Sequence, residues 1–354
     1  MSRIGRSPKA LWMQLLWLGA TGWAWTAFVT ERVIEIQASP LRTTLLVLAS
    51  VGVVGSASWA AWRLQRSSFR YLPLLVLLGL AGRQWHRHAL RLQYEGSPPV
   101  KSVGVIDSLW HPVTTTDLAL HYYTLRSNKL FAGRLRLVLL TDLHITPAVP
   151  RAYYEHVFEQ VRAQDADLIL LAGDYVSEPE NIELMAEIFA RPWPARYGAF
   201  AALGNHDLWT EPSRVRQALG SAGVTVLEGR CQHLSIAIGR VAICGTEAPW
   251  GAELSGTLDQ TELNLAISHT PDNVYRLIEQ GAFLIFSGHT HGGQLRVPGF
   301  GSVLIPSRFG GLFDQGHFQI QGSELFVSAG VGADMPPLRL YCQPEILVVD
   351  IHAG

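Results

Sequence analysis

The sequence predicts an α/β domain preceded by an N-terminal membrane region. Two long uncharged stretches lie within the first hundred residues, and from about residue 103 onward short β-rich apolar runs alternate with amphipathic stretches. Five short polar strings each follow directly after an apolar run. We therefore divide the chain into a membrane region, 1–101, and a globular domain, 102–354.

The membrane region contains two stretches that are long enough to cross a bilayer as helices. The 21 residues 10–30 and the 20 residues 43–62 are uncharged. The first stretch could be a cleaved signal peptide, but it lacks a small-residue cleavage site, so we expect it to be retained. A third stretch, 71–82, has 12 residues and contains Pro73, which also fits an interfacial or re-entrant helix.

The side of the membrane depends on that third stretch. Two spans place the globular domain on the same side as the N-terminus, and three place it on the opposite side. Lys and Arg, which favour the cytoplasm, are concentrated before the first span and after the second. We expect a multi-pass protein of the cell membrane with a cytoplasmic domain, and the opposite side if 71–82 spans.

The charge is divided unevenly between the two parts. Residues 1–101 carry 12 Lys+Arg and 3 Asp+Glu, a net charge of +9, and the remainder carries −10. Because sequence-independent nucleic-acid binding depends mostly on Lys and Arg, nucleic acid is not an expected partner. The cysteines Cys231, Cys244 and Cys342 are odd in number and lack metal-ligand spacing, so we expect buried free thiols.

The strands and helices of the globular domain follow from runs of apolar residues and their periodicity. The clearest predicted strands are 135–140, 168–172, 199–203, 263–267 and 283–286. The predicted helices are 151–164, 182–190, 213–222 and 273–280.

The five polar strings begin within a residue or two of the carboxyl ends of predicted strands. They are Asp142-Leu143-His144, Gly173-Asp174, Gly204-Asn205-His206-Asp207, Ser268-His269 and Gly288-His289-Thr290-His291. Ligands of α/β sheets gather beyond those ends, so the strings are expected to converge. A single histidine is more often a core or surface residue than a ligand, and the glycines could be turn residues. The whole set of carboxylates, amide and imidazoles indicates a site for two divalent manganese, iron or zinc ions.

These strings, in this order, resemble the calcineurin-like metallophosphoesterase superfamily over residues 134–350. The resemblance implies a sandwich of two mixed β-sheets flanked by helices. It also implies that one metal is bound by Asp142, His144, Asp174 and His291. The second metal is then bound by Asp174, Asn205, His269 and His289, with Asp174 bridging. Ser177 stands where the purple acid phosphatases have a metal-binding tyrosine.

Two cations about 3.5–4 Å apart can hold a bridging hydroxide for attack on phosphorus. The resemblance gives His206 the task of stabilising the transition state or protonating the leaving oxygen. Asp207 could orient His206, and capping of a helix is an equal alternative.

The sequence of residues 288–294 and the tail around 328–346 resemble a bacterial branch of membrane phosphoesterases. That branch includes enzymes that cleave the pyrophosphate of UDP-diacylglucosamine in lipid A synthesis. The expected partners are therefore the lipid bilayer and a lipid-linked or nucleotide-linked phosphate substrate. Candidate substrate contacts are Trp209, Trp250 and Arg308. Core packing of the two tryptophans and a surface ion pair of Arg308 are the alternatives.

The leading hypothesis is a membrane-anchored phosphoesterase that cleaves a phosphodiester or pyrophosphate. A catalytically silent membrane scaffold of the same fold is an alternative from a different class, although such relatives usually lose a ligand. A phosphoprotein phosphatase or nuclease with the same metal chemistry is a third hypothesis.

Overall fold

The structure is a computed structural model that describes residues 114–297, 301–302, 304–334 and 337–354. These residues fall into two compact units, of which one holds residues 304–312 and the other holds the remainder. Within the described ranges, no helix has the length and apolar character needed to cross a membrane. The predicted membrane segments 10–30, 43–62 and 71–82 lie outside the described residues.

Strands and helices alternate through the larger unit. The strands are β1 (Ala119–Ser127), β2 (Arg134–Leu140), β3 (Leu168–Leu171), β4 (Ala199–Ala201), β5 (Val224–Val226), β6 (Cys231–Ile236), β7 (Gly239–Thr246), β8 (Leu263–Ser268), β9 (Leu284–Ser287), β10 (Arg296–Val297), β11 (Gly301–Ser302), β12 (Gly316–Ile320), β13 (Ser323–Val327) and β14 (Glu345–Ala353). The helices are α1 (Arg151–Arg162), α2 (Ile182–Phe189), α3 (Asn205–Trp209), α4 (Pro212–Ser221) and α5 (Val274–Glu279). The predicted strands and helices all form, with ends that differ by a few residues.

The strands build two six-stranded mixed sheets. The first has the order β1-β14-β2-β3-β4-β5, with β2 to β5 parallel and β14 antiparallel to β2. The second has the order β12-β13-β9-β8-β7-β6, with four parallel strands between two antiparallel edge strands. Two mixed sheets flanked by helices are what the resemblance implies.

The alternation of side chains in β2 explains how the layers pack. Leu135, Leu137 and Leu139 enter a core between the two sheets, whereas Val138 and Leu140 enter a core between the first sheet and its helices. Both faces of the strand are therefore buried. Burying each such side chain stabilises the fold by roughly 1.5–3 kcal/mol, which explains the continuous apolar runs.

The sheet topology places five loops at one edge of the sandwich. The strands β2, β3 and β4 of the first sheet and β9 of the second each end one to three residues before a polar string, and β8 of the second sheet ends at Ser268, the first residue of its string. The site is consequently assembled from both sheets. Its two halves are held in register by the core that the sheets share.

The expectation of three free thiols is wrong for two of the cysteines. Cys231 and Cys244 lie opposite each other on β6 and β7 and form a disulfide, with Cα atoms 4.0 Å apart. Cys342 is free and buried, as expected. The pairing depends on the register of the β6–β7 hairpin, which cysteine count and spacing do not reveal.

We expect one reactive thiol per chain when purified protein is denatured without reductant, and three after reduction. Replacing Cys231 and Cys244 with serine removes a constraint on the unfolded chain. It should lower the free energy of unfolding by roughly 2–3 kcal/mol, measured in urea, whereas Cys342→Ala leaves the disulfide intact and serves as control. Three reactive thiols before reduction would contradict the pairing.

Candidate metal centre

The first group of convergent side chains consists of Asp142, His144 and His291. The Nε2 atoms of His144 and His291 lie 3.0 Å apart, and His291 Nε2 lies 3.4 Å from Asp142 Oδ1. All three side chains are nearly inaccessible to solvent. Together they form one set of donor atoms that could hold a metal ion.

The second group surrounds His269 Nε2. This atom lies 3.0 Å from Asp174 Oδ2, 3.1 Å from Asn205 Oδ1 and 3.2 Å from His289 Nδ1. Asp174, His269 and His289 form a further set that could hold an ion. Asp174 Oδ2 also lies 3.7 Å from His144 Nε2 of the first group. Its carboxylate therefore stands between the two groups.

The protonation of His269 shows why cations belong here. Its Nδ1 lies 2.6 Å from the carbonyl oxygen of Ala172, which can only accept, so Nδ1 carries the proton. In the neutral ring, Nε2 then turns a lone pair toward the oxygens of Asp174 and Asn205. Burial alone would lower the pKa of His269, but the Asp174 and Asp142 carboxylates outweigh it and raise the pKa to about 9. A proton thus occupies the place of a metal when none is bound.

The spacing of the donor atoms also fits metal coordination. Ligand atoms bound at about 2.1 Å to one ion lie roughly 3–3.4 Å apart, close to the 3.0–3.4 Å separations within each group. Carboxylate, amide and imidazole donors suit divalent manganese, iron or zinc. The residues present therefore fit two divalent metal ions, with Asp174 placed to contact both.

Five candidate ligands have left-handed backbone conformations. The φ angles are 51° at Asp142, 39° at His144, 56° at Asp174, 67° at His289 and 50° at His291. Asp and His tolerate this region better than most residues, but each such position still costs on the order of 1–3 kcal/mol. The strands end in sharp turns that direct these side chains inward, and the fold bears that cost at the site.

Two glycines permit close approach of the ligand loops. A Cβ atom on Gly204 would lie 2.1 Å from Asp174 Oδ1, and one on Gly288 would lie 2.2 Å from Asp142 Oδ2. Neither residue has a positive φ, so the requirement is for space and not for a special backbone conformation. These glycines therefore leave space for the carboxylates of Asp174 and Asp142, in addition to any role in turns.

The Asp207 carboxylate is bound by backbone amides and does not face the His206 ring. It accepts hydrogen bonds from the N–H groups of Gly204, Asp174 and Tyr175, at 2.7–2.9 Å, and a longer one from Val176. It therefore caps α3 and ties that helix to the loop that carries Asp174. Of the two alternatives for Asp207, these hydrogen bonds support capping, and a catalytic role remains a prediction.

His206 lies at the opening of the site. Its side chain is 23% exposed, and Nε2 lies 3.7 Å from Asp334 Oδ2. The His206 ring packs edge-on against that of His144, with centroids 4.9 Å apart, and its backbone N–H donates to Asp174 Oδ1. His206 can also share a donor set with His144 and Asp174. The prediction that His206 donates a proton and does not itself bind a metal remains a prediction.

Ser177 and Tyr175 take different positions after Asp174. The Ser177 hydroxyl lies 2.7 Å from His144 Nδ1 and orients that imidazole, as partners of metal-binding histidines commonly do. The Tyr175 hydroxyl donates to carbonyl oxygens of Leu171 and Ala202 in the core. Tyr175 therefore points away from the metal centre.

Arg339 is a supporting residue that the sequence reasoning missed. Its guanidinium is fully buried and donates to the carbonyl oxygens of Gly332 at 2.7 Å, Ala329 at 2.5 Å, and His291 and Gly330 at 3.3 Å each. It thereby joins the loop that carries His291 to the loop 328–332. A single arginine within the tail 328–346 gives little indication of such a role.

Glu345 also anchors the loop 328–332. Its carboxylate accepts hydrogen bonds from the backbone N–H of Ala329 at 2.7 Å and from Gln315, and it pairs with His121. Burial would raise the pKa of Glu345, but the His121 ring and these donors outweigh it and lower the pKa. The anchor therefore stabilises the fold at neutral pH, and this stabilisation is lost as the pH falls through the lowered pKa.

Two of the candidate substrate contacts lie beside imidazoles of the metal centre. The Trp209 ring lies 5.5 Å from that of His206, and the Trp250 ring lies 5.0 Å from that of His289. Arg308 stacks over Phe309 at 5.2 Å within the smaller unit, 304–312. Its proposed contact with phosphate remains a prediction.

Comparison with known proteins reveals a consistent group of relatives. The sequence profile of calcineurin-like phosphoesterases matches residues 135–293. The Phosphodiesterase YaeI of Escherichia coli (strain K12) is 30% identical over 234 residues, which cover 62% of this chain and 83% of that protein. The "Uncharacterized metallophosphoesterase YkuE" of Bacillus subtilis (strain 168) is 26% identical over 254 residues, 69% of this chain and 87% of that protein. An Aquifex aeolicus (strain VF5) metallophosphoesterase is 26% identical over 263 residues, 70% and 97% of the two chains.

We expect Gly288→Ala to lose most of its bound metal, because the new Cβ would collide with the Asp142 carboxylate and the Thr141 hydroxyl. The same overpacking should lower the free energy of unfolding by about 1–3 kcal/mol. Metal content by elemental analysis and denaturant unfolding measure the two effects. Gly220→Ala in α4 is the matched control, since nothing lies within 4 Å of its added Cβ. Two metals per chain in Gly288→Ala would contradict this account.

We expect Arg339→Lys to weaken metal binding roughly 10- to 100-fold, because an ammonium group cannot reach the same set of carbonyl oxygens. Equilibrium titration with Mn²⁺ measures the affinity, and the loss should be confined to one of the two binding events, because the guanidinium contacts the loop of His291. Arg276→Lys, at a surface ion pair with Glu253, is the control. An Arg339→Lys protein that binds both ions like the parent would show that the two joined loops do not depend on the guanidinium.

Proposed function

Because the chain belongs to the calcineurin-like phosphoesterase family, we propose that it is a membrane-anchored enzyme that hydrolyses a phosphodiester or pyrophosphate bond of a lipid-linked substrate. UDP-diacylglucosamine is one substrate of this chemical class. As a family member the chain is a metal-dependent hydrolase. The observation that most strongly supports the proposal is that two groups of donor atoms converge on the Asp174 carboxylate.

The arrangement of side chains suits hydrolysis at phosphorus. Two bound divalent cations would supply an activated water and would offset negative charge on the phosphoryl oxygens. The chain's own part is to fix the positions of these cations through Asp174 and to keep further negative charge away. Asn205 serves this end because it offers a neutral oxygen beside His269.

The position of His206 supports a role in the departure of the leaving group. Its imidazole lies beside the first donor group and reaches the surface, where it can donate a proton to the oxygen that departs. The backbone N–H of His206 donates to Asp174. The position of the ring is therefore coupled to the residue that would contact both metals.

The relative named Phosphodiesterase YaeI supports the choice of a diester over a monoester. The acidic character of residues 102–354, with a net charge of −10, disfavours nucleic acid as that diester. The apolar stretches 10–30 and 43–62 support membrane anchoring. A substrate that is itself held in a bilayer would be reached by an enzyme anchored beside it.

The side of the membrane remains a proposal. The distribution of Lys and Arg favours a cytoplasmic domain on two spans. The Cys231–Cys244 disulfide favours the other placement, because disulfides persist chiefly in oxidising compartments. Reporter fusions after residues 61 and 96 distinguish the two placements. If residues 71–82 span the membrane, the two reporters lie on opposite sides; if they do not, both lie on the same side.

We expect Asp174→Asn and His206→Asn to reduce hydrolysis of bis(4-nitrophenyl) phosphate for different reasons. Asp174→Asn should lose bound metal and at least about 10³-fold of the rate, because it removes the shared carboxylate. His206→Asn should keep its metal and lose roughly 10²- to 10⁴-fold in kcat, because only the proton donor is removed. Metal content and steady-state kinetics separate the two variants.

The control is detergent-purified parent protein in Mn²⁺, assayed with the diester, with 4-nitrophenyl phosphate and with nucleotide-linked lipids. A clear preference for the monoester would count against the proposed function. Full activity after removal of metal by chelation would overturn it.

A further inference from the structure

We infer that Trp209 and Trp250 form an aromatic corner beside the metal centre, which binds a planar aromatic ring carried by the substrate's phosphate, such as a nucleobase or an aryl ester. The inference rests on the proposed phosphoesterase function and specifies the substrate class more closely. It concerns binding and not the chemical step.

The aromatic corner borders residues of both expected roles. The Trp209 ring lies 5.5 Å from the ring of His206, the candidate proton donor. The Trp250 ring lies 5.0 Å from the ring of His289 and 6.0 Å from that of His269, both candidate ligands. A group attached to a phosphate in the site would therefore lie close to these indoles.

The geometry of the two indoles favours a flat ring. Their centroids are 6.4 Å apart and their planes are nearly perpendicular, at 88°. Such a corner offers one face for offset stacking and one edge for a T-shaped contact, the two arrangements that aromatic pairs prefer. The other ring–ring contacts of the two indoles are with the imidazoles of His206, His269 and His289.

Trp250 is held in place before any ligand arrives. Its backbone N–H donates to the carbonyl oxygen of Glu247 at 3.1 Å. The buried Glu247 carboxylate receives two hydrogen bonds from Arg216, at 2.9 and 2.8 Å. Asn273 ties the same loop to β8, since it donates to Ala248 O at 2.8 Å and lies 3.0 Å from Ser268 Oγ. A preorganised platform loses little conformational entropy on binding.

Trp209 differs from an ordinary exposed hydrophobic residue. Its side chain is 55% exposed at the end of α3, the helix that begins with Asn205 and His206. Single exposed hydrophobic residues are common and need no explanation. A half-exposed indole in contact with the expected proton donor is less easily explained by packing alone, and it leaves a ring face available to a ligand.

The test compares three phosphonates that share one metal-binding head group. Methylphosphonate, phenylphosphonate and hexylphosphonate are titrated into Mn²⁺-loaded full-length protein in detergent, by calorimetry and by inhibition of bis(4-nitrophenyl) phosphate hydrolysis. Phenylphosphonate should bind roughly 5- to 100-fold more tightly than methylphosphonate. Trp209→Ala and Trp250→Ala should each reduce this ratio to about 2-fold or less, with metal content unchanged.

Phe131→Ala is the matched control. Phe131 is an exposed aromatic residue before β2, at the end of that strand opposite to Asp142, so the ratio should stay as in the parent. Because Trp209 is half-exposed, its variant decides the matter even if Trp250→Ala folds poorly.

Each remaining outcome has a defined meaning. Tighter binding of hexylphosphonate than of phenylphosphonate would identify an alkyl site and overturn the aromatic corner. Equal binding of phenylphosphonate and methylphosphonate, with diester hydrolysis retained, would also overturn it and leave the proposed function standing. Absence of both diester hydrolysis and phosphonate binding would overturn the proposed function itself.

Discussion

The electrostatic repulsion between the acceptor atoms around the Asp174 carboxylate governs the design of the site. These atoms are the oxygens of Asp174 and Asn205 and the Nε2 atom of His269. His269 presents Nε2 to the oxygens of Asp174 and Asn205 because its Nδ1 proton is fixed by Ala172. The acceptors repel one another when no cation lies between them, and burial strengthens the repulsion because the local dielectric is low. The fold therefore holds a cluster of groups whose favourable state requires bound cations, and a proton on His269 is a partial substitute.

Much of the domain serves to hold that unfavourable cluster together. Five candidate ligands have left-handed backbones, and the surrounding residues determine these conformations. Asp207 and Arg339 are buried and direct their polar groups at backbone groups of the ligand loops. A buried polar group destabilises the fold unless its hydrogen bonds are made, so these two residues hold the loops in place. Asp207 and Arg339, which are not candidate ligands, are consequently important for the positions of the candidate ligands.

The sequence predicts the position of the site better than its supports. The polar strings at the ends of β2, β3, β4, β8 and β9 are visible because apolar runs end in chemically distinctive residues. The register of neighbouring strands and the contacts between residues distant in sequence leave no such pattern in the sequence. The insertion of β14 between β1 and β2, the Cys231–Cys244 pair and the hydrogen bonds of Arg339 all depend on contacts between residues distant in sequence or on strand register. Asp207 shows a further limit, because its neighbour His206 suggests catalysis whereas its contacts are with the backbone.

Two-metal chemistry at this site requires the Asp174 carboxylate to lie between two cations. Crystals of the domain soaked in Mn²⁺ and measured above the manganese absorption edge test it directly, since anomalous difference density locates each ion without reference to activity. We expect two peaks about 3.5–4 Å apart, one on each side of Asp174, with His291 at the first and His269 at the second. A single peak away from Asp174, or no peak at saturating Mn²⁺, would contradict it.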